Sequence, residues 1–530
     1  VVFPKDKEDV KNLVKWVGEN KNKYKGLSIT ARCAGTCMSG GAIGESIIMD
    51  FSRHMNRLIG GPLPLHNKSS WEVTVEPGMF YRDFEKITLA KGLILPCYTA
   101  SKSLNAVGGM YGNNSAGERT LKYGKTEDYI LRAKVVFSDG NEYEVKPLSK
   151  AELENKIAQN NGEGELYRNI FNLIQENKVE IESAKPKVHK NSAGYYVWNV
   201  INEKDTDNYF DLNKILVGSQ GTLGIVTEIT FKIIPETKYS KLVAVFMNDL
   251  EPLGRLVDEM LPLSPETLEA YDDKTMKLAV KFFFDFLKNK GFIGMIKFML
   301  SFLPEAFMML TNGFPKLIIL VEFAGKSEED VHDQCVDLEN KIKHFNLKVH
   351  ITKNQTEANK YWDIRRESFA LLRKHVSGKH TAPFIDDIIV RPEFLPKFLP
   401  ELNLILGQYK IIYTIAGHVG EGNFHIIPLM DFSSADTPKI IMELGEKVYD
   451  LVARYHGSIT AEHNDGIIRT PYLNKMYEPQ IISIFKRVKE VFDAKNIFNP
   501  GKKVPTENEG GTRDYILKHI AVEQKVGHKV

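Results

Sequence analysis

Apolar and polar positions alternate along the first 235 residues in a way that predicts strands and helices in turn. Asp6 stands where a helix N-cap would, and the pattern predicts a helix from there through Val17. Further along, the pattern predicts strands at residues 27–31, 46–50 and 71–75, and a second helix at 81–91.

Two apolar runs in the second half, residues 411–415 and 426–429, predict strands on either side of a glycine-rich segment. The intervening glycines, which permit the positive φ angles of a tight reversal, are Gly417, Gly420 and Gly422. Such a turn would bring His418 and His425 together. A straight strand would not, because residues an odd number apart face opposite ways.

Glu462 and His463 complete this candidate chemistry. Glu462 would add an oxygen to the two imidazoles, giving a facial ligand set suited to Zn, Mn or Fe with positions left open for substrate. His463 points away from Glu462 in an extended chain, so it is better placed as a base than as a further ligand. On these residues alone, two turn histidines and an unrelated Glu-His pair stay an open alternative.

Composition and charge narrow the class of protein. The 530 residues are enough for two or three domains, and 43% hydrophobic with 26% charged residues is ordinary for a globular chain. A formal net charge of +2 provides no global field that would recruit nucleic acid. Four cysteines are too few for a disulfide framework, so we expect a reducing, cytoplasmic compartment. The chain starts at Val1 inside a strand-like run, and we expect further residues upstream.

The segment 281–310 is rich in Phe, Met, Leu and Ile, and lysines punctuate it. The chain has no apolar run of eighteen residues that would span a bilayer. Apolar helix faces interleaved with lysine suit peripheral contact with a membrane surface, and they equally suit a buried dimer or domain interface. Both interpretations stay open.

Three segments rich in small residues occur in the first half, at 32–41, 106–117 and 217–228. The first joins two predicted strands and offers consecutive backbone N–H groups as an anion-binding nest. A dinucleotide fingerprint would lead into a helix instead, and this segment does not. Three such segments together favour a large, phosphate-bearing cofactor over three coincident turns.

In order and spacing these segments resemble the FAD-binding domain of the vanillyl-alcohol-oxidase (p-cresol methylhydroxylase-type, PCMH-type) superfamily, nearest to D-lactate, glycolate and D-2-hydroxyglutarate dehydrogenases. The matching stretches are 32–40 for the pyrophosphate loop, 108–117 beside the isoalloxazine, and 218–228 with Gln220 for a glutamate. The resemblance implies FAD contacts from Arg32, Cys33, Ala34, Gly35, Thr36, Cys37, Ser39, Gly40, Pro96, Gly108, Gly109, Asn113, Asn114, Ser115, Gly117, Gly221, Gly224, Ile225 and Asn499.

The second half matches the same family. Residues 418–425 resemble its H-x-G-D-G-N-x-H motif with Glu421 for the Asp, 462–464 its E-H-G motif, and 499–502 its N-P-G-K motif. The resemblance implies a divalent metal (Zn, or Mn or Fe) on His418, His425 and Glu462, with His463 as general base. It also implies Arg365 as the binder of the substrate carboxylate, for which a guanidinium fork is suited, and Asn423 as a hydrogen-bonding partner of the substrate. A surface ion pair is the alternative for Arg365.

Departures from the family pattern carry further expectations. Cys33 and Ala34 replace two glycines of the pyrophosphate loop, and Cys33 or Cys37 is either a covalent flavin anchor or a small buried residue. A lysine expected in the 2-hydroxyglutarate enzymes is not evident around 384–387, which favours a smaller acid such as D-lactate. A cysteine cluster for an iron–sulfur module is also absent from the sequence.

The resemblance implies an α+β architecture: a PCMH-type two-subdomain FAD-binding domain at 1–237 and a cap domain at 238–465. The cap would be an antiparallel sheet covered by helices over one face (ferredoxin-like). Residues 466–505 would return to the FAD domain, and 506–530 would form a tail.

The expected reaction is oxidation of a D-2-hydroxy acid, D-lactate favoured, to the 2-oxo acid. Electrons would pass to an acceptor of unknown kind (a quinone, a cytochrome or an electron-transfer flavoprotein), and a homodimer is possible. The alternatives are an oxidase of the same fold that uses O₂, a catalytically silent flavin-binding subunit, and a metal-dependent hydrolase.

Overall fold

The computed structural model describes residues 1–66, 69–281, 313–375, 378–505 and 511–520. These residues group into two units. The first unit consists of Val1–Pro186, Asn191–Glu236 and Thr460–Lys518, and the second of Lys187–Lys190, Thr237–Ile459 and the chain from His519. Apart from Lys281, the predicted interface segment 281–310 lies outside the described residues, and so do 506–510 and 521–530 of the predicted tail.

The first unit contains two sheets in its described residues. The strands are β1 (Ile29–Arg32), β2 (Ile47–Asp50), β3 (Leu58–Pro64), β4 (Trp71–Val75), β5 (Leu93–Ile94), β6 (Ile130–Val136), β7 (Glu142–Val145) and β8 (Ile225–Pro235). β1 and β2 form a parallel pair, while the others form an antiparallel sheet in the order β3-β4-β8-β6-β7 with β5 beside β8. β4 has the predicted bounds, and β1 and β2 begin slightly later than predicted.

Helices of the first unit follow the predicted pattern in part. They are α1 (Lys7–Asn20), α2 (Tyr81–Leu89), α3 (Val107–Asn113), α4 (Thr120–Tyr123), α5 (Lys150–Ile157), α6 (Gly162–Glu176), α7 (Lys178–Ala184) and α8 (Asn213–Leu216). Asp6 caps α1 as predicted, because its carboxylate accepts hydrogen bonds from the backbone N–H groups of Glu8 and Asp9 at 2.9 and 3.2 Å. α1 continues three residues beyond Val17, since no proline interrupts it there.

A buried apolar cluster joins the parallel pair to α1 and to the antiparallel sheet. Every third or fourth residue of α1 (Val10, Val14, Val17) is fully buried, which is the periodicity of one helix face. The cluster also includes Ile29, Met49, Phe51, Met55, Val136, Ile225, Ile497 and Phe498. Because the last two come from the end of the chain, the C-terminal segment belongs to the core of the first unit.

The second unit is organised around one antiparallel sheet in its described residues. The strands are β9 (Tyr239–Met247), β10 (Thr267–Asp272), β11 (Leu317–Gly325), β12 (Lys348–Ile351), β13 (His380–Thr381), β14 (Ile388–Ile389), β15 (Ile415–His418), β16 (Asn423–Ile426) and β17 (Leu429–Met430). The main sheet has the order β12-β9-β11-β10-β15-β16-β14, and β13 pairs with β17. This is the antiparallel sheet expected of the cap domain.

Helices cover the sheet of the second unit. They are α9 (Leu253–Met260), α10 (Asp273–Lys281), α11 (Glu328–Ile342), α12 (Gln355–His375), α13 (Leu395–Leu406) and α14 (Thr437–Arg454). Tyr361 and Trp362 of α12 pack against Leu242 and Ala244 of β9. The alternate residues of β9, such as Val243 and Val245, are also fully buried, so this strand is buried on both faces.

After Thr460 the chain is again part of the first unit. Its helices there are α15 (Gly466–Arg469), α16 (Pro479–Phe492) and α17 (Gly511–His519). Lys489 of α16 donates to the carbonyls of Thr222 and Phe498 at 2.6 and 2.7 Å and pairs with Asp493 at 2.6 Å. These bonds fasten the returning segment to the segment that leads into β8.

Candidate active site

A tight hairpin in the second unit carries the two predicted metal-binding histidines. β15 and β16 pair antiparallel with His418 opposite Asn423 and Ala416 opposite His425, so all four side chains lie on one face of the sheet. The imidazole rings of His418 and His425 are 5.2 Å apart between centroids and nearly perpendicular. The predicted strand bounds, 411–415 and 426–429, were wrong. The strands occupy the motif itself, because residues 419–422 suffice for the turn.

Glu269 of β10 contacts both His418 and Arg365. β10 pairs with β15 through Ala270 and Gly417, which places Glu269 across from His418 on the neighbouring strand. One Glu269 carboxylate oxygen, Oε1, is hydrogen-bonded to His418 Nδ1. The other, Oε2, accepts from Nε and Nη2 of Arg365 at 3.2 and 3.0 Å. Burial opposes ionisation of Glu269, but His418 and Arg365 outweigh it, so the pKa of this carboxyl lies below its ordinary value.

Two fully buried aspartates support the other strand of the hairpin. Asp386 Oδ1 lies 3.2 Å from His425 Nδ1, and Asp387 Oδ1 accepts from Asn423 Nδ2 at 3.1 Å. Asn423 Nδ2 also donates to the Ile388 carbonyl at 3.1 Å. The two aspartates lie within 384–387, the stretch in which a lysine would be expected of a 2-hydroxyglutarate enzyme.

The carboxylates beside both histidines fit a metal site. The Glu269 carboxylate is hydrogen-bonded to Nδ1 of His418, and the Asp386 carboxylate to Nδ1 of His425. A metal-ligating histidine usually donates its second ring nitrogen to such a carboxylate, which fixes the tautomer and the ring plane. The ring nitrogens that would be left for a metal are then the two Nε2 atoms, and imidazole nitrogens suit Zn²⁺, Mn²⁺ or Fe²⁺.

Glu421, in the turn between the histidines, forms a buried ion pair. Its Oε2 lies 2.6 Å from Lys190 Nζ, and the side chains are 6% and 1% exposed, respectively. Lys190 belongs to the short segment of the N-terminal half that groups with the second unit. Glu421, which stands where the resembled motif has an aspartate, is thus the ion-pair partner of Lys190.

Glu462 and His463 belong to the first unit, where the loop predicted to bind the pyrophosphate contacts His463. His463 Nε2 lies 3.8 Å from Glu462 Oε1, and the carboxylate is the more deeply buried of the two groups. The hydroxyl of Ser39 donates to the His463 carbonyl at 3.2 Å. Ser39 was predicted to contact FAD, so the backbone of the predicted base is held by the predicted cofactor loop.

The loop after β1 has the features of an anion cradle. Gly35 has φ +68°, a left-handed conformation that glycine adopts without strain. Within the part of the chain that the structure describes, the backbone N–H groups of residues 34–37 donate no hydrogen bond to protein. Consecutive N–H groups that are not used by the fold suit the pyrophosphate of FAD.

Cys33 packs against the second small-residue segment. Its thiol donates to the Pro77 carbonyl at 3.3 Å, and a Cβ on Gly108 would lie 2.8 Å from its sulfur. Burial raises the pKa of the Cys33 thiol to about 12, so the thiol stays protonated at neutral pH. This favours the interpretation of Cys33 as a small buried residue over a covalent flavin anchor.

Glycines of the second and third small-residue segments have two different surroundings. A Cβ on Gly108 or Gly117 would collide with protein, namely Pro77 or the Tyr98 carbonyl. Gly109 has no atom within 4 Å of an added Cβ, so this predicted FAD contact faces open space. Most of the remaining predicted contacts lie on the same segments: Asn113, Asn114 and Ser115 at the end of α3, Gly221 beside Ala31, and Gly224 and Ile225 at the start of β8. Pro96 lies apart from them, after β5.

Gln220 and Asn499 connect the predicted cofactor segments. Gln220 Nε2 lies within hydrogen-bonding distance of Ser39 Oγ at 3.4 Å and of Asn113 Oδ1 at 3.3 Å, and its Oε1 accepts from the Gly466 N–H at 2.8 Å. Asn499 Nδ2 donates to the carbonyls of Gly41 and Gln220 at 2.8 and 2.7 Å, and Thr30 donates to its Oδ1 at 3.0 Å. Both amides act within the protein by holding loops in place.

Lys503, which no sequence motif singled out, is buried and contacts the residues that directly follow His463. Lys503 Nζ donates to Asn464 Oδ1 at 2.7 Å and pairs with Asp465 at 2.9 Å. Asn464 Nδ2 donates to the carbonyls of Gly218 and Asn113 at 2.8 and 3.3 Å. Asn464 takes the place of the glycine in the family's E-H-G motif. Through these bonds Asn464 and Asp465 anchor the segment that carries His463.

Searches among known proteins agree with this architecture. Residues 236–503 match the family described as FAD linked oxidases, C-terminal domain, and residues 1–146 match an FAD binding domain. A D-2-hydroxyglutarate dehydrogenase of Escherichia coli (strain K12) is 27% identical over 96% of the chain, which spans about half (48%) of that relative. A D-lactate dehydrogenase of Anaerostipes hadrus is 25% identical over 93% of the chain and 87% of the relative.

The fold has solved counterparts. p-Cresol methylhydroxylase superposes with a TM-score of 0.61 at 15% identity, over 95% of this chain and 88% of that one. Among the helices described, none is long and apolar enough to cross a membrane. Since the match at 236–503 covers just over half of the residues, the chain belongs to the FAD-linked oxidases, and its fold is similar to that of p-cresol methylhydroxylase.

Proposed function

We propose that this protein oxidises a D-2-hydroxy acid to the 2-oxo acid, with FAD as the hydride acceptor and with the help of a divalent metal. The observation that carries the proposal is the paired histidine cluster of the second unit, in which each imidazole has a buried carboxylate on Nδ1. Arg365, held by Glu269 next to His418, supplies a cation for the substrate carboxylate. The similarity to D-lactate and D-2-hydroxyglutarate dehydrogenases supports the reaction class.

Each residue has a defined task in this proposal. His418 and His425 would hold the metal through Nε2, and Glu462 enters as the third ligand from its sequence motif alone. When bound, the metal supplies a Lewis acid that lowers the pKa of the substrate hydroxyl, and FAD supplies the electron sink. His463 would take the hydroxyl proton on a ring nitrogen. The Asn423 amide donors are occupied by Asp387 and Ile388, so the atom it can offer a substrate is Oδ1 as an acceptor.

D-lactate is the favoured substrate, and D-2-hydroxyglutarate is the second candidate. Asp386 and Asp387 occupy the stretch in which a 2-hydroxyglutarate enzyme is expected to have a lysine, a cation suited to the second carboxylate of that substrate. Carboxylates at that place disfavour a dicarboxylate through like-charge repulsion. The names of several relatives favour D-2-hydroxyglutarate instead. The electron acceptor and a homodimer stay predictions from the sequence.

The proposal is tested by anaerobic bleaching of the flavin. The purified protein is mixed with D-lactate, D-2-hydroxyglutarate, glycolate and the L-acids, with and without Zn²⁺ or Mn²⁺. We expect metal-dependent loss of the ~450 nm flavin band with a D-acid, D-lactate first, because the flavin is the electron sink.

The other outcomes separate the alternatives. A yellow protein that none of the acids bleaches contradicts the dehydrogenase and leaves a silent flavin subunit. A colourless protein that takes up no FAD favours a hydrolase. Rapid peroxide release on admitting O₂ identifies an oxidase of the same fold.

A further inference from the structure

We propose that Glu269 is a positioning residue that sets His418 and Arg365 in one fixed geometry. It would thereby fix where the metal and the substrate carboxylate lie relative to each other. The inference rests on the proposed function, since it assigns a partner to two residues of that site. The sequence around Glu269 matches none of the motifs that identified the other candidates.

The two carboxylate oxygens of Glu269 are divided between the two functional groups. Oε1 is hydrogen-bonded to His418 Nδ1, so Nε2 is the ring nitrogen that would bind the metal. Oε2 holds Nε and Nη2 of Arg365, which form one edge of the guanidinium. The edge formed by Nη1 and Nη2 would then serve as the two-pronged donor to the substrate carboxylate. One rigid strand therefore orients both groups.

Burial argues that the charge at position 269 has a purpose beyond stability. The Glu269 side chain is 2% exposed, and Arg365 is 17% exposed. A buried ion pair is often no more stabilising than apolar residues of similar volume, because desolvation of the charges offsets their attraction. Its two neighbours on β10, Leu268 and Ala270, are buried apolar residues, whereas Glu269 is a buried charge whose oxygens both have partners. The carboxylate of Glu269 is explained by the two partners that it orients.

The test uses the FAD-loaded protein and Glu269→Gln, which has nearly the same shape. The amide has one accepting atom, so it cannot accept from Arg365 and at the same time hold His418 as a carboxylate does. We expect the affinity for Zn²⁺ or Mn²⁺, measured by calorimetric titration, to fall about 10- to 100-fold, as for other residues that orient metal ligands. The KM for the hydroxy acid should rise about tenfold, because a misplaced guanidinium binds the substrate carboxylate less well.

Two controls separate positioning from folding. Glu322→Gln changes another buried glutamate of the same sheet, on β11, and should leave metal affinity and KM unchanged. In an Arg365→Ala background, Glu269→Gln should add little to KM, because the group that it positions is gone. A merely structural role would lower the melting temperature without this loss of additivity.

Metal binding and turnover distinguish failure of this inference from failure of the proposed function. Equal metal affinity of the wild type and Glu269→Gln, including no binding by either, overturns the role of Glu269. Loss of metal affinity supports that role even if no acid bleaches the flavin, an outcome that would remove only the dehydrogenase. Should Glu269→Gln not fold, Glu269→Asp keeps the charge on a shorter side chain, and the same two losses are expected of it.

Discussion

Asp272, at the end of β10, is a carboxyl whose ionisation opposes folding. Its Oδ1 accepts from the backbone N–H and the hydroxyl of Thr275 at 2.9 and 2.7 Å in the first turn of α10. Burial nevertheless raises its pKa from 3.8 to about 6, and these bonds only partly offset the effect. The folded protein binds this proton more tightly than the unfolded chain, so the associated stability is present below pH 3.8 and is lost as the pH rises through 6.

Asp272→Asn should therefore stabilise the protein at neutral and alkaline pH. The amide keeps an acceptor for Thr275 and removes the buried charge. Since one unit of pKa corresponds to about 1.4 kcal/mol, we expect a gain of up to roughly 3 kcal/mol at pH 8 and a smaller gain at pH 5. Urea denaturation at the two pH values measures it. The control is Asp273→Asn, whose partner Lys277 is exposed, and a gain equal at both pH values would contradict the prediction.

At the scale of an element, the β15–β16 hairpin depends on contacts from outside itself. Glycine is required at position 422, where φ is +76° and a Cβ would lie 1.8 Å from the Val390 carbonyl. The turn is also held by the ion pair of Glu421 with Lys190. The geometry of the two histidines thus rests on residues that a local motif does not include.

Lys190→Met should destabilise the second unit strongly, because Glu421 would be left as a buried charge without its ion-pair partner. Breaking such a pair costs about 3–5 kcal/mol, whereas replacing both members is close to neutral. We therefore expect a large loss of stability in Lys190→Met and recovery of most of it in Lys190→Met/Glu421→Met, measured by calorimetry. Arg255→Met breaks an exposed pair with Glu251 and should cost less than about 1 kcal/mol. Equal effects of the two single variants would refute the role of the buried pair.

At the scale of the whole molecule, the first unit is assembled from segments far apart in the chain. Gln220 joins the loop at Ser39, the end of α3 at Asn113 and the start of α15 at Gly466. The family has a glutamate here, and the amide of Gln220 serves as donor and acceptor at once. We therefore expect Gln220 to help set the spacing of the predicted cofactor loops.

Gln220→Leu should weaken FAD binding and the first unit together. It leaves the Gly466 N–H without its acceptor, at a cost of about 1–3 kcal/mol. A tenfold or greater loss of FAD affinity corresponds to about 1.4 kcal/mol and is expected from displaced loops. The ratio of absorbance at ~450 nm to that of the protein, followed during dialysis, measures FAD retention. Gln480→Leu changes an exposed glutamine on α16 and serves as the control. Full FAD retention in Gln220→Leu would argue against this role.

Local patterns in the sequence were enough to predict the family, the order of the small-residue segments and several helices and strands. Asp6 before an amphipathic run predicted the capped helix α1, and an alternating apolar run predicted β4, because both signals depend on neighbours in the chain. The glycines of the 416–425 segment predicted a reversal for the same reason. The bounds of β15 and β16 were missed because pairing with β10 and β14, and not apolar content, defines those strands.

The side chains that surround the predicted site residues are known from the tertiary structure and not from local sequence patterns. Glu269 reaches His418 across 149 positions of sequence, and Lys190 reaches Glu421 across more than two hundred. A buried carboxylate has no local signature, since its partners are set by strand register and helix packing. The residues of the candidate site could be predicted from sequence motifs. The residues that position them could be identified only from the structure, because strand pairing brings them together.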